Sequence, residues 1–462
     1  MAFIALVAIS RASAALTEDY ANFGKLRIVT KANHSNADQM FAAGYLEGYL
    51  TAERIYDHHY NLRTYFVSML NLSESLEAAL DWLEDQEAWA AAHIRTAPPS
   101  DPYWRLLGLV QQQFHGLVAG YQQRAREEAA RRAERRAAAA ARRAAGRRLL
   151  GGEGEGVGAG AEEEAGGDDD DVAVGWLERR DLLFLNSNGD VYDIVDALEA
   201  GRFNSGTYNN QYMIINANRF KPRDELQPGV LWVLEQMPGM IKSADMTEEL
   251  SRGYWPSYNV AYFPDVYAAA GYPDMIARLE AAGAEANSFP IKLLRYQIAP
   301  RAQIFRRDQG GVEGLESLKR LMRYNDWRHD PVAEGNPVGA VCARGDLAPG
   351  EEALAKGCFD SKVTNLHLLS KLESEVVGGP TAQGQPPFSW SDPRWAGLPH
   401  RGMPDTHDFD WERMTAAELP TRAECAAAAD AMAAVEAAQA VEAAEQRPLR
   451  MAAGGSGTAA RV

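Results

Sequence analysis

Two neighbouring amide side chains stand at the predicted start of a strand, where they could take part in acyl chemistry. Asn209 and Asn210 directly precede the run 211–216, whose apolar residues predict a β-strand. Side-chain amides at the edge of a strand can donate hydrogen bonds to the charge that develops on a carbonyl oxygen during acyl transfer. An asparagine-rich string also forms structural turns before strands, so both interpretations stay open on the residues alone.

Two arginines in the C-terminal half are each followed closely by an aspartate. Arg323 precedes Asp326, and Arg344 precedes Asp346. Because a guanidinium can hold a phosphate or carboxylate through two parallel hydrogen bonds, Arg323 and Arg344 are candidates for binding a substrate head group. Structural ion pairs between each arginine and its aspartate are the alternative.

The histidines predict neither a metal nor a cofactor site. His58–His59 and the His329–Asp330 pair have no third ligand at a recognisable spacing, so surface or packing roles are favoured. The three cysteines, Cys342, Cys358 and Cys425, form no CxxC or Cys/His pattern. A single Cys342–Cys358 bridge is one alternative for them.

Length and charge limit the classes of partner. The 462 residues are 46% hydrophobic and carry a formal net charge of -17. That charge argues against a nucleic-acid footprint and against simple electrostatic adhesion to anionic membranes, so a lipid would be met by shape and apolar contact. No apolar run approaches the length of a membrane span.

Periodicity predicts a mixture of helices and strands. Strands are predicted at 26–29, 182–185, 211–216 and 230–234, and helices from 38 onwards and at 76–93, 103–121, 264–270 and 313–324. This mixture indicates an α/β or α+β architecture rather than a helix bundle. Gly44 and Gly48, four residues apart on the first helix, predict that another element approaches it closely.

Composition divides the chain into five parts. Residues 1–16 resemble a weak signal peptide, and 123–173 form a low-complexity insert that is first Arg/Ala-rich and then rich in Gly, Glu and Asp. The parts 17–122 and 174–414 form the globular protein, and 415–462 is an Ala-rich tail. Asn33 and Asn71 are glycosylation acceptors if the chain is secreted or reaches a lysosome or vacuole.

Several long strings resemble the phospholipase B-like family, in that family's order. The central blocks are 203–212 (FNSGTYNNQY), 233–240 (VLEQMPGM) and 254–259 (YWPSYN). C-terminal blocks follow at 300–309, 321–326, 343–347, 379–381 and 386–390, and N-terminal ones stand at 42–48 and 101–104. Rare residues in fixed order make this resemblance specific.

The resemblance implies an α+β, N-terminal-nucleophile hydrolase: an αββα sandwich of two antiparallel sheets flanked by helices. In such enzymes self-cleavage exposes a cysteine whose thiol attacks the acyl carbon, while its own α-amino group acts as the base. The implied substrate is a phospholipid or another acyl compound, no cofactor is implied, and the oligomeric state stays open. Asn209 and Asn210 match the family's signature beside the active centre.

The chain departs from the family at the nucleophile. A block resembling the family's segment before the cysteine stands at 188–198, and only residues 199–202 separate it from Phe203. The resemblance implies a cleavage site, the nucleophile cysteine and a His-Asn-Thr-Trp segment between these points, so the fold is expected to be internally truncated. Cleavage between Gly206 and Thr207 would expose a threonine nucleophile instead, although the family does not use that position.

Three hypotheses follow from the gap. In the first, the chain is an active acyl hydrolase whose sequence lost the segment through a mis-joined reading of its gene. Unpaired strand edges favour this explanation, since they are costly. A genuine short form would be a catalytically dead scaffold that binds lipid or a protein, and a remnant without a ligand is the third. An amidase of the same fold is a further alternative for the chemistry.

Overall fold

The computed structural model describes most of two regions of the chain and short pieces between them. The described residues are 12–17, 25–31, 33–149, 174–188, 191, 194–195, 212–215, 232–237, 240–245, 254–257, 260–382, 384–395 and 397–415. The predicted tail and most of the predicted signal peptide lie outside these residues. The cleavage-site residues 12–14 fall in a described strand, but that placement leaves the signal-peptide prediction open.

The N-terminal region is a strand pair followed by helices. Strands β1 (Ala12–Thr17) and β2 (Lys25–Thr30) are antiparallel, with Ala12 opposite Thr30. The helices are α1 (Asn36–Leu50), α2 (Ala52–Thr64), α3 (Ser73–Thr96), α4 (Pro102–Leu149) and α5 (Arg179–Asn186), with a π-helical turn at Tyr65–Met69 after α2. The predicted strand at 26–29 and the first three predicted helices are confirmed.

Close contact between α1 and α4 depends on glycine in both helices. A Cβ atom added at Gly44 would overlap the carbonyl oxygen of Gln113, and one added at Gly116 would overlap that of Phe41. Backbone meets backbone at these points, so no side chain could move away to make room. The predicted close approach at Gly44 is confirmed.

The predicted strand at 182–185 is wrong, because these residues belong to helix α5. A capping box starts the helix: the Glu178 amide donates to the Asp181 carboxylate (2.8 Å), while the Glu178 side chain accepts from the first turn. Leu182 and Phe184 are buried in two different core clusters. A four-residue apolar run cannot distinguish a strand from a buried helical turn, and the cap decides it.

The start of the predicted insert is packed helix. Helix α4 continues through residue 123 to Leu149, and Ala125 is buried beside Val118 and Leu177. The Tyr49 hydroxyl donates to Glu127 (2.8 Å). The boundary predicted from composition at 123 therefore falls inside a helix that contributes to the core.

The central strands form two antiparallel pairs. Strand β3 (Tyr212–Ile215) pairs with β6 (Tyr254–Ser257), and β4 (Trp232–Met237) pairs with β5 (Met240–Asp245). The predicted strand at 211–216 is confirmed, and the strand predicted at 230–234 overlaps β4. These pairs are consistent with an α+β fold, while the two-sheet sandwich stays a prediction.

The C-terminal region combines short helices and small sheets around one core. Its helices are α6 (Pro264–Ala269), α7 (Tyr272–Ala281), α8 (Phe289–Leu293), α9 (Pro300–Asp308), α10 (Leu315–Met322) and α11 (Leu366–Leu369). The strands are β7 (Ser361–Val363), β8 (Ser374–Val377), β9 (Phe388–Ser389), β10 (Thr406–His407) and β11 (Glu412–Met414), with sheet orders β11-β8-β7 and β10-β9. Val266, Ile304 and Phe305 lie at the centre of this core with no exposed surface.

One arginine of the C-terminal region joins it to helix α2. The Arg401 amide donates to the side-chain oxygen of Asn61 (2.8 Å), and the Asn61 side chain donates back to the Arg401 carbonyl (2.8 Å). The Arg401 guanidinium pairs with Asp57, which is only 7% exposed. The N-terminal helices and the C-terminal loop are therefore fixed to each other.

Candidate active site

The start of strand β3 is the part of the predicted catalytic region that the structure describes. Tyr212 opens the strand and lies opposite Ser257 of β6. Thr207, Asn209 and Asn210 precede Tyr212 and lie outside the described residues. Their roles as nucleophile and oxyanion donors stay predictions for residues that precede β3 in the sequence.

Two of the three cysteines are bonded to each other. Cys342 and Cys358 form a disulfide with their Cα atoms 4.9 Å apart, which confirms the bridge that the sequence left as one alternative. A disulfide sulfur is not a thiolate and cannot attack an acyl carbon. Cys425 lies in the tail, outside the described residues.

Arg323 is a buried hydrogen-bond donor at the end of helix α10. It is 3% exposed, and its Nη1 donates to the Phe359 carbonyl (2.6 Å), while Nη2 donates to the Gly378 carbonyl (3.2 Å). Burial lowers the pKa of Arg323 to about 10, so the side chain is still a cation at neutral pH. The arginine fastens the 377–379 stretch to the rest of the region.

The expected pairing of Arg323 with Asp326 is wrong. The Asp326 carboxylate contacts the His329 ring instead, at 2.7 Å. Both of these side chains are mostly exposed, whereas the Arg323 guanidinium points into the protein among backbone carbonyls. Arg323 directly follows helix α10, and the chain turns before Asp326, so the two side chains point in different directions. The spacing of the two residues in the sequence does not reveal this turn.

Arg344 forms the ion pair expected from its spacing, in a fully buried position. Its Nε and Nη2 donate to the two oxygens of Asp346 at 2.8 and 2.7 Å. Further bonds run to the carbonyls of Pro380 (3.1 Å) and Pro386 (2.8 Å), and Arg344 has 0% exposed surface. In this arrangement the guanidinium is occupied by protein groups, and binding a substrate would require the 380–386 stretch to move.

A second buried carboxylate was not singled out by the sequence as an ion-pair partner. Arg307 donates to both oxygens of Asp330 (2.9 and 2.8 Å), and the Tyr324 hydroxyl donates to the same group (2.7 Å). Burial alone would raise the pKa of Asp330, but the bonds from Arg307, Tyr324 and the Val332 amide lower it below its usual range. No sequence spacing points to this pair, because Arg307 and Asp330 are far apart along the chain.

An open cavity of about 380 Å³ lies beside this cluster. Its lining includes Tyr324, Asn325 and Asp326, from the family-like string at 321–326. The Asn325 amide donates to the carbonyls of Pro337 (3.1 Å) and Cys342 (2.6 Å), so it ties the cavity wall to the disulfide. The string thus shapes a surface depression while its own polar groups hold the loops around it.

The described residues contain neither a cluster of metal ligands nor a membrane-spanning helix. No three His, Cys, Asp or Glu side chains among them come together as metal ligands. None of the helices in the described part of the chain is both long and apolar enough to span a membrane.

Comparison with known proteins decides the family. The sequence model of the family described as Phospholipase B matches residues 15–138 and 199–414. The chain belongs to the phospholipase B family. Arg323, Arg344 and the Asp330 cluster all lie within the second matched part.

Individual relatives carry the same name. Phospholipase B-like 1 of Rattus norvegicus is 29% identical over 469 aligned residues, which cover 82% of this chain and 82% of that protein. The Bos taurus protein of that name is 30% identical over 82% of this chain and 83% of its own length. Phospholipase B of Crotalus adamanteus is 40% identical over 212 residues, covering 46% of this chain and 36% of that protein.

The unmatched stretch within this family member is 139–198. It holds the end of α4, the acidic part of the insert, helix α5 and the string at 188–198. The match resumes at residue 199, a few residues before Phe203. The central signature with Thr207, Asn209 and Asn210 therefore lies at the very start of the second matched part.

Proposed function

We propose that this chain is a phospholipase B-like acyl hydrolase of the N-terminal-nucleophile type, whose family chemistry is release of fatty acids from phospholipids. Its active centre would lie at the start of β3, with Asn209 and Asn210 as oxyanion donors and no cofactor. The observation that carries the proposal is the family match across 199–414, which contains the signature directly before β3. The αββα sandwich, internally truncated, is part of the same proposal.

The chain as printed would be catalytically inactive. Between Leu198 and Phe203 stand only Glu, Ala, Gly and Arg, none of which is a nucleophile for acyl transfer. Cys342 and Cys358 are used by the disulfide, and Cys425 stands beyond the family match, which ends at 414. Thr207, exposed by cleavage after Gly206, is the one internal nucleophile that this proposal allows.

The test is an assay of the purified 462-residue chain. After incubation at acidic and neutral pH, N-terminal sequencing should find no internal cleavage, and fatty-acid release from phosphatidylcholine should equal that of buffer. Release that disappears in Thr207→Ala but persists in Thr207→Ser would establish the threonine exception. Release that persists in Thr207→Ala would overturn the proposal, because the nucleophile would then lie elsewhere.

The origin of the gap separates the active enzyme from the dead scaffold. A full-length transcript read across Leu198 and Phe203 should contain an extra in-frame segment with a cysteine after Gly and Ser residues. A contiguous transcript would favour the alternative, a lipid- or protein-binding scaffold without catalysis. If the segment is found, comparing acyl-ester with acyl-amide substrates decides between a phospholipase and an amidase.

A secreted or lysosomal location belongs to the same proposal. The disulfide supports an oxidising compartment, because cytosolic thiols are kept reduced. Asn33 and Asn71 are both exposed, as glycan acceptors must be. A mobility shift on endoglycosidase treatment, lost in an Asn33→Gln/Asn71→Gln variant, is the expected result; an unshifted wild-type band would remove this support.

A further inference from the structure

The loop between strands β7 and β8 exposes three leucines. The two strands are antiparallel neighbours, and residues 364–373 connect them. We call this connection the leucine tip. Leu366 (85%), Leu369 (54%) and Leu372 (76%) are exposed, while Leu368 between them is buried. Single exposed apolar residues are ordinary on a protein surface, but three within seven residues form a concentration that indicates a contact surface.

The backbone donors of the leucine tip are satisfied within the tip itself. Each amide from Leu368 to Glu373 donates to an acceptor of this loop: the first to the Asn365 side chain (2.8 Å), and the others to carbonyl oxygens. The hydroxyls of Thr364 and Ser370 also donate to carbonyl oxygens of the tip, at 3.0 and 2.8 Å. An unpaired N–H group is costly away from water, so a loop that pairs its own donors can leave water with little loss.

Leu372 has a backbone conformation that leucine rarely adopts. Its φ is 58°, in the left-handed region where glycine or asparagine is typical. Its side chain is mostly exposed, so packing within the described structure does little to compensate for this unfavourable backbone. A leucine that is both conformationally unfavourable and exposed contributes little to folding, which indicates a contact outside the fold.

The charge of the leucine tip is opposite to that of the whole chain. Residues 364–372 contain Lys371 and no Asp or Glu, although the net charge of the chain is -17. The next residue, Glu373, is paired with Arg413 (2.6 Å). The Lys371 side chain is exposed and forms no ion pair or hydrogen bond with another described residue. A bilayer with anionic lipid attracts the tip and repels an acidic protein as a whole, so the field favours an approach with the tip first.

We propose that the leucine tip inserts into the surface of a phospholipid bilayer that contains anionic lipid. The three exposed leucines enter the boundary between head groups and acyl chains, and the amine of Lys371 lies at the level of the phosphates. The leucines supply most of the binding free energy, and the lysine sets the preference for anionic lipid. This contact needs no catalytic nucleophile, so it stands independently of the proposed hydrolase activity.

Co-sedimentation with vesicles of phosphatidylcholine mixed with phosphatidylglycerol tests the insertion of the full 462-residue chain. The wild-type chain should sediment with the vesicles. Leu366→Ser and Leu369→Ser should each weaken the partition coefficient about tenfold, because moving a leucine side chain out of water changes an equilibrium constant by that order. The matched control is Leu106→Ser on helix α4, where the leucine is 56% exposed but lies outside the tip. This control should bind as the wild type does.

Leu372→Gly separates insertion from folding. Glycine adopts the left-handed conformation without steric cost, so the thermal midpoint of this variant should be no lower than that of the wild type. Its partition coefficient should nevertheless fall about tenfold. Unchanged vesicle binding together with a lowered midpoint would overturn the proposal, because Leu372 would then serve the fold rather than the bilayer.

Lys371→Gln tests the lipid preference. This variant should bind the mixed vesicles about fivefold more weakly than the wild type, and pure phosphatidylcholine vesicles equally well. Failure of the wild-type chain to bind mixed vesicles would overturn the proposal, and so would a loss of binding in Leu106→Ser but not in Leu366→Ser. Self-association without vesicles that Leu366→Ser abolishes would also overturn it, because the leucines would then contact a second copy of the chain.

Discussion

Asp346→Asn should cost much more stability than the same change in an exposed pair of identical composition. Asp346 is 6% exposed and holds the fully buried Arg344 through two bonds of 2.8 and 2.7 Å. An asparagine can accept from only one of the two guanidinium donors and turns its own amide hydrogens toward the other. The change leaves a buried cation without its counter-charge, which costs about 3–5 kcal/mol of unfolding free energy.

The control is Asp392→Asn. Asp392 pairs with Arg394 at the same two-residue spacing, with bonds of 3.0 and 2.6 Å, but at the surface. Water replaces the lost interaction there, so urea unfolding of this variant should be indistinguishable from wild type. Neither substitution removes the Asp346 backbone carbonyl that accepts a hydrogen bond from Arg394 (3.1 Å).

Urea unfolding followed by circular dichroism measures both variants under one protocol. If Asp346→Asn unfolds at the same urea concentration as the wild type, then Arg344 is exposed to water rather than buried. That result would support the prediction that Arg344 binds substrate. A double variant, Arg344→Met/Asp346→Leu, gives the converse test. It should recover part of the loss, because no buried ion is left unpaired, while the carbonyls of Pro380 and Pro386 lose the donor that Arg344 supplied.

Three further predictions address packing, pH and the insert. Gly44→Ala should destabilise the α1–α4 contact by about 1–3 kcal/mol, while Gly108→Ala, whose Cβ meets only a side-chain methyl, should not; chemical denaturation compares them. Burial would raise the pKa of Asp181, but bonds from a histidine and a backbone amide lower it, so its contribution is present above about pH 4 and is lost on further acidification. Asp181→Asn should therefore flatten the acid limb of stability against pH, and an unchanged limb would contradict the assignment. Deleting residues 135–171 should leave the thermal midpoint nearly unchanged, whereas deleting residues 124–171 should lower it, because the longer deletion removes packed helix. Equal midpoints for the two deletions would show that residues 124–134 do not stabilise the fold.

The secondary structure of long periodic segments was predictable, because the spacing of their apolar residues indicates which face of the helix is buried. Helix α1, with 15 residues, appears where the sequence placed it. The run at 182–185 failed because four apolar residues fit either structure, and the deciding signal was the capping pair Glu178 and Asp181. The compositional boundary at 123 has no counterpart in secondary structure, since the Arg/Ala run continues helix α4 without interruption.

The candidate site shows a different limit. Arg344 and Asp346 are two residues apart, and a local pair of this kind can be read from the sequence. The partners of Arg323 are carbonyls at 359 and 377–379, and Asp330 receives its bonds from Arg307 and Tyr324. Backbone acceptors carry no sequence signature, so a guanidinium that binds them resembles a free ligand-binding arginine until the fold is known.

The contacts of Arg401 explain how the two matched parts of the chain can form one protein despite the unmatched stretch between them. Its bonds to Asp57 and Asn61, both 7% exposed, join helix α2 to a loop near the end of the second matched part. Buried polar contacts of this kind hold only when both sides are in place, because either side alone would leave unsatisfied groups. These contacts therefore contribute to the association of the two parts in addition to the chain that connects them. Under the proposed N-terminal-nucleophile function, maturation would cut the chain before β3, and contacts of this kind would help to keep the two fragments together. The same proposal assigns the loss of activity to the short link between Leu198 and Phe203, and it predicts that a chain with the segment restored would stay associated through Arg401 after cleavage.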